Sequence, residues 1–536
     1  MTHLSIRFQI GAACCFFILI GLAVIPYAGI QNDEALFAAP LYEVNSKDFC
    51  FIAFHHQIPL MVMTYIGTLK TLIYIPILKF FGGNIWSVRL PMVLIGTLTV
   101  FFFFKLLLRT AGPTAATIGG LLLATDPIFL LTNTIDWGPV ALGHFFLVTG
   151  CLLLLRFAQD VRHLMGNLAL GCFLLGLGLW NKALFLWVLG GLAAGTLLVF
   201  PLEVKRLATR RNLIVAIVAF LFGASPFVMY NVRRPNATIG QNAHFDSWRV
   251  ALQKIPPLEV TVDGSGLLGF FTIENGPDAH PKPLVSRHGR FAQWAQDRFG
   301  EHRQTGMLYG LGIALLLVPW WWRFRAAWFA VVFLLTVWTL MAFTRDAGGS
   351  VHHCVLLWPF PELFLGVTFA ALPWRRIALL AGAVLVAMNL LVLNRYILDF
   401  ERNGAANNFT DALFPLSLAI ADPGDPPNPQ TEQPIYVVDW GMLNTLALTH
   451  QGRLMLRVGD PPFMTDHPSP DDRRSIDYML NDRTGIFVGH VPGREANTGV
   501  GKRLEREVAA AGYRKETIQT ISDSNGRPVF EIFRVR

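Results

Sequence analysis

Two adjacent carboxylates, Asp33 and Glu34, stand in the stretch Gly29-Ile-Gln-Asn-Asp-Glu-Ala-Leu-Phe37, directly after an apolar run from Phe8 to Ala28. A carboxylate placed where a membrane span emerges into water can take the proton of a hydroxyl as its oxygen attacks. The same pattern also suits a plain helix N-terminus, where Asn32 or Asp33 caps and acids stabilise the first turn by about 0.3–1 kcal/mol. Neighbouring polar residues tilt the choice toward chemistry. Asp136 (in Asn133-Thr-Ile-Asp-Trp-Gly-Pro139), Lys182 (in Trp180-Asn-Lys182), Arg233 with Arg234, Arg345 with Asp346, and His352 with His353 all fall where apolar runs end on one side. Acids, bases and cations gathered at one membrane face are costly there and are kept for function.

His55-His56 and His352-His353 could ligate a divalent metal together with Asp33 or Glu34. Successive helical residues point about 100° apart, so at most one of each pair, such as His56, addresses the site. The cofactor is left open on this pattern, with a divalent metal held by Asp33, Glu34 and His56 as the candidate. Glu362, in Pro359-Phe-Pro-Glu362, lies nearer mid-membrane, where the flanking prolines favour a structural kink.

The elements that must hold these residues are set by composition. Of 536 residues, 53% are hydrophobic and 15% charged, against about 25% charged in soluble domains. Apolar runs of about 20 residues recur to Leu398, and in lipid such runs must be helices. The expected fold is a polytopic α-helical membrane protein of about 11 transmembrane helices followed by a soluble α/β domain. The spans are expected near 8–28, 88–108, 114–131, 138–155, 167–181, 183–201, 212–230, 306–322, 326–343, 351–372 and 377–397. The first run is too long for a signal-peptide core and is read as a retained span.

With Met1–Arg7 cytoplasmic, the inside loops carry Arg109, Arg156 and Arg162, then Lys205, Arg206, Arg210 and Arg211, then Arg323 and Arg325, then Arg375 and Arg376. Every one is basic, as orientation by Lys and Arg requires. The net charge of +8 is accounted for by topology and gives no reason to expect nucleic acid. The six cysteines form no disulfide or metal spacing.

The transmembrane domain is expected over 1–398, with outer loops 29–87 and 231–305. The stretch Leu60–Phe81 reads as helices along the membrane surface, since another span there would invert every later loop. A linker is expected over 399–433 and an extracytoplasmic α/β domain over 434–536. That tail alternates strand patterns (434–439, 453–458, 485–490) with helical ones (441–450, 471–482, 498–512). It ends in a hairpin around Asn525-Gly526.

Asp33-Glu34 after the first span resembles the acidic motif of polyprenol-phosphate-dependent glycosyltransferases of the membrane-integral C-type fold. The similarity is to family 39, the protein O-mannosyltransferase-like enzymes, with aminoarabinose transferases as relatives. It continues through Gly82-Gly83, Arg89-Leu90-Pro91, Asp136, Leu179-Trp-Asn-Lys182 and Ser225-Pro-Phe-Val-Met-Tyr-Asn231. His55-His56-Gln57-Ile58-Pro59 stands where that family has His-Pro-Pro.

The resemblance implies inverting transfer of a sugar from a polyprenyl-phosphate carrier to a protein, glycolipid or polysaccharide hydroxyl at the outer face of a bacterial inner membrane. Asp33, with Glu34 and Asp136, would supply the base. Arg233, Arg234, Arg345 and Lys182 would hold the carrier phosphate, with His56, His352 and His353 as further site candidates. The alternative from another class is an ion-coupled transporter or flippase using Asp33, Asp136 and Glu362. It would call for inverted repeats, of which the sequence has none.

Overall fold

The computed structural model describes residues 3–42, 50–53, 56–160, 162–242, 244–276, 279–420 and 433–536. Helix α1 (His3–Val24) leads into the acidic stretch. Two short hairpins follow: β1 (Cys50–Ala53) with β2 (His56–Pro59), and β3 (Met61–Met63) with β4 (Ile66–Gly67). Helix α2 (Leu69–Phe81) exposes Leu72, Ile73, Ile75, Phe80 and Phe81 and buries Lys70, Thr71 and Tyr74. Next come α3 (Ile85–Thr110), α4 (Gly112–Thr125), α5 (Pro127–Thr134), α6 (Val140–Gln159), α7 (Met165–Asn181), α8 (Phe185–Val199), α9 (Pro201–Leu207) and α10 (Arg210–Arg233). The outer loop carries α11 (Ile239–Asn242), α12 (Trp248–Gln253), α13 (Ile255–Val262) and α14 (Arg287–Phe299). The helical body closes with α15 (Met307–Leu316), α16 (Val318–Trp321), α17 (Arg325–Phe343), α18 (Val351–Cys354), α19 (Phe360–Ala370) and α20 (Arg375–Asn403).

Among the described residues, seven helices are long and apolar enough to cross a membrane. Two bent pairs, α4 with α5 at 55° and α8 with α9 at 99°, raise that to nine, and α7 and α15 are shorter apolar helices. Each of the eleven expected stretches falls on one of these units. The bend at α4–α5 has a local cause: Pro127 cannot continue the hydrogen-bond ladder, and Asp126 restarts it by accepting from the Phe129 amide at 2.7 Å. Helices α7 and α10 approach closely because glycines face each other's backbone. A Cβ on Gly176 would meet the Phe220 carbonyl, and one on Gly223 the Phe173 carbonyl.

The C-terminal region holds a five-stranded sheet in the order β6-β5-β7-β9-β8. Its strands are β5 (Ile435–Val437), β6 (Leu456–Val458), β7 (Ile486–His490), β8 (Lys515–Ser522) and β9 (Pro528–Val535). Strands β6, β5 and β7 run parallel, and β9 is antiparallel to both β7 and β8. One face carries α21 (Leu413–Ile420) and α22 (Leu443–Thr449), with Leu413, Leu416 and Leu446 packed on Ile435, Val437 and Val488. The other carries α23 (Pro470–Asn481) and α24 (Val500–Ala510), with Ile476, Leu504 and Val508 on Tyr436, Phe487 and Phe533.

The expected linker 399–433 is not a single connection. Helix α20 runs unbroken to Asn403, and α21 is bound into the sheet's own core through Ala412, Leu413 and Leu416. The Pro-rich residues 421–432 lie outside the described residues.

Candidate active site

The chain after α1 turns sharply, and its backbone is held from within. The Gln31 side-chain oxygen accepts from the amides of Asp33 at 2.6 Å and Glu34 at 3.0 Å. From below, Arg89 on α3, 0% exposed, donates to the carbonyls of Ile25, Ala28 and Gly29 and to both oxygens of Glu34, at 2.7–2.8 Å. All the forked donors of the guanidinium are thereby used. Glu34 is 1% exposed and its charge belongs to this bidentate pair. Both of its oxygens are engaged by Arg89, so the structure sets it apart from Asp33, with which the sequence groups it as a base and metal candidate.

Asp33 points elsewhere. It is only half-buried, and among the described residues its carboxylate makes no ion pair. Burial lifts this carboxyl from 3.8 to about 6, against the hydrogen bonds of Gln31 and Asn32 and the charge of Lys182. An acid held at that acidity can both accept and retain a proton near neutrality.

Lys182 occupies the short connection from α7 to α8 and is buried, with its ammonium donating to the Gly138 carbonyl at 2.8 Å. Burial lowers it from 10.5 to about 8, while Asp136 and Asp33 hold it up. The connection is fastened to the β3–β4 hairpin. Ile66 bridges Lys182, the Ala183 amide donates to the Tyr65 carbonyl at 2.8 Å, and Trp180 Nε1 donates to the Leu60 carbonyl at 2.8 Å. Gly67 permits this approach, since a Cβ there would collide with the Trp180 carbonyl. Tyr65 on the same hairpin is raised by burial and then by Asp33 and Asp346.

Asp136 is buried, pairs with Lys70 at 2.9 Å and accepts from the amides of Val140 and Ala141 at 2.7 and 3.2 Å. It anchors the start of α6, with one oxygen on Lys70 and the other on two amides. Its partner Lys70 sits 5.2 Å from the Phe37 ring. Lys70 and Arg89 are not among the candidate site residues read from the sequence, although Arg89 stands in the Arg89-Leu90-Pro91 stretch that carries the resemblance. Their signal was an isolated cation within an apolar helical stretch.

His352 packs its ring 5.2 Å from Trp137 and covers Gly138, with Nδ1 3.0 Å from Ser350 Oγ. His353 lies 4.2 Å from it, centroid to centroid, and its buried Nδ1 has no hydrogen-bond partner among the described residues. Asp33 and Lys182 feel each other's charge, as do Asp33 and Tyr65, and the histidine pair joins them through Gly138, which His352 covers and whose carbonyl accepts from Lys182. Arg233 and Arg234 are exposed at the end of α10, and Arg345 is exposed 3.8 Å from Asp246. His56 contributes backbone to β2, while its side chain and all of His55 lie outside the described residues. Among the described residues no three His, Cys, Asp or Glu side chains gather as a metal set.

A model of the dolichyl-phosphate-mannose-protein mannosyltransferase family matches residues 70–230, from α2 to the end of α10, which include Lys70, Arg89, Asp136 and Lys182. ArnT of Cupriavidus metallidurans, solved bound to undecaprenyl phosphate, superposes with a TM-score of 0.64 at 14% identity, over 99% of this chain and 98% of that one. The fold is that of a membrane-integral C-type glycosyltransferase. The Archaeoglobus fulgidus oligosaccharyltransferase in its apo form shares it at a TM-score of 0.51 and 11% identity, over 91% of this chain and 70% of its own. No curated protein sequence matches the chain. The apolar helices and the shared fold are those of an integral membrane protein, residues 70–230 are similar to the mannosyltransferase family, and neither comparison favours a transporter.

Proposed function

We propose that the protein transfers a sugar from a polyprenyl-phosphate carrier to an acceptor hydroxyl, with Asp33 as general base and Lys182 as the cation for the departing phosphate. The acceptor O–H proton passes to Asp33 as the oxygen attacks the anomeric carbon. The bond from that carbon to the carrier phosphate breaks, inverting the centre, and the new phosphate charge is met by the Lys182 ammonium. The observation that carries this reading is the division of labour in the acidic pair. Glu34 is taken up by Arg89, whereas Asp33, hydrogen-bonded by Gln31 and Asn32, makes no ion pair among the described residues, is half-buried and lies within the field of Lys182. His352 or His353 supplies a second donor to the phosphate.

The reading places Asp33, Lys182 and the C-terminal region on the outer side of a bacterial inner membrane, with the N-terminus inside, on the strength of the basic loops. The acceptor is a protein, glycolipid or polysaccharide. The test is transfer of labelled sugar, in membranes from expressing and non-expressing cells, from a panel of undecaprenyl-phosphate sugars that includes mannose and aminoarabinose. Label entering acceptors only with the intact protein, and not with Asp33→Asn, supports the assignment. Equal labelling by parent and Asp33→Asn rejects it.

A further inference from the structure

We infer that Asn444 and Thr445, on the C-terminal sheet's helix α22, are positioning residues for Asp33, so that the C-terminal region is a working part of the catalytic centre. The inference rests on the reading of Asp33 as base. The loop that carries Asp33 is held on two sides by groups far apart in sequence. The membrane side is Arg89, described above. The opposite side comes from residues beyond position 400. Thr445 Oγ1 donates to the Ile30 carbonyl at 2.8 Å, the Asn444 amide to the Asn32 side-chain oxygen at 3.0 Å, and Asn444 Nδ2 to the Asn32 carbonyl at 3.4 Å. The Gly29 amide donates to the Phe409 carbonyl at 2.8 Å, and a Cβ on Gly29 would strike the Thr410 carbonyl. Asn32, Asn444 and Thr445 are all buried, so water does not replace a bond that is lost.

Asp33 sits between two pinned residues, Asn32 above and Glu34 below. Its carboxylate therefore inherits its place from both the helical body and α22. The clamp begins five residues after Asp439, which closes the carboxyl end of β5. Asp439 is itself fixed by His490 Nδ1 at 2.7 Å and the amides of Trp440 and Ala496 at 2.8 and 2.9 Å. The turn that delivers Asn444 is thus anchored to the middle of the sheet. A base displaced by about 1 Å can lose up to about 10²-fold in rate, which is the scale on which such a clamp matters.

The experiment uses the full-length protein in detergent or nanodiscs. Asn444→Ala/Thr445→Val removes the bonds from Asn444 Nδ2 and Thr445 Oγ1 and leaves the backbone amide of Asn444 as donor, and Thr445→Ser keeps the Oγ donor. Amide hydrogen exchange needs no substrate. Peptides covering 29–36 should exchange about tenfold faster in the double variant, while β5, β7 and β9 keep their protection. With the undecaprenyl-phosphate sugar found active in the panel above, kcat should fall about tenfold or more at a donor KM within about twofold of the parent's. The acidic limb of the kcat profile should move, and Thr445→Ser alone should retain parent behaviour.

Unchanged exchange at 29–36, or unchanged kcat, overturns the inference. So does a loss of kcat with an unmoved acidic limb, or a loss of protection spread across the sheet. The exchange result stands apart from the base assignment: full activity of Asp33→Asn would sink that assignment while leaving the clamp measured.

Discussion

Asp33→Asn should make the protein more stable as it makes it inactive, and the gain should depend on pH in a defined sense. Burial raises the Asp33 carboxyl from 3.8 to about 6. A raised acid contributes stability that is fully present below its unfolded value near 3.8 and is lost as pH climbs through its folded value near 6. Above that the ionised side chain is a burden. At 1.36 kcal/mol for each tenfold in acidity, the full burden is roughly 3 kcal/mol. Partial exposure to solvent reduces it, so about 1–3 kcal/mol is the working range. Asparagine has the same shape and carries no charge.

The stability difference, variant minus parent, should therefore rise from pH 4 to about pH 7 and flatten beyond. It can be read from thermal unfolding of the detergent-solubilised proteins at a fixed scan rate. Turnover at saturating donor should drop by about 10²–10⁴. In the parent, kcat should rise with pH through about 6, because the base must be ionised to work. A stability difference flat in pH would put Asp33 in water-like surroundings, and near-parent turnover would take it out of the mechanism. Either result refutes the reasoning.

Glu34→Gln should act through folding: it strands the Arg89 charge in the interior, a loss of about 3–5 kcal/mol, visible as low yield and early unfolding before any rate is measured. Lys182→Met should weaken donor use by a factor of at least about ten at intact fold, whereas Arg345→Ala, at an exposed residue, should leave donor affinity within about twofold; the reverse ranking would return the phosphate to the exposed arginines. Gly67→Ala should disrupt the hairpin that seats Lys182, since its Cβ collides with the Trp180 carbonyl, and should lower turnover more than overall stability. Reporter fusions near 50, 260 and 450 should lie outside and those near 160, 207 and 375 inside; a cytoplasmic 450 would reverse the orientation.

Much of this protein is legible in its sequence, because a bilayer leaves the chain few choices. Backbone groups in lipid have to be satisfied within a helix, so the apolar runs mark the helical units. Asn84, with Ser87 three residues on, closes the start of α3 as a capping box. In the tail, the alternation around Asn525-Gly526 gives the β8–β9 hairpin, with Gly526 at φ +79 supplying the left-handed turn. These are local rules, readable a few residues at a time. The same rules brought out Asp33 and Lys182 as groups that membrane spanning does not need.

What only the tertiary structure decided is which charges are spent on one another. Asp33 and Glu34 are neighbours in sequence and equal in chemistry, yet Arg89, 55 residues away, takes both oxygens of one and leaves the other. Asp136 and Lys70, 66 residues apart, cancel in the same way, while the exposed arginines that looked like a phosphate site stay at the surface. The hold of α22 on the Asn32 loop spans 412 residues. Burial makes such pairings mandatory, since an unmatched charge in the interior costs several kcal/mol. The matching depends on which helices pack side by side, and that is set by apolar surfaces and glycine contacts spread over the whole chain rather than by any short motif.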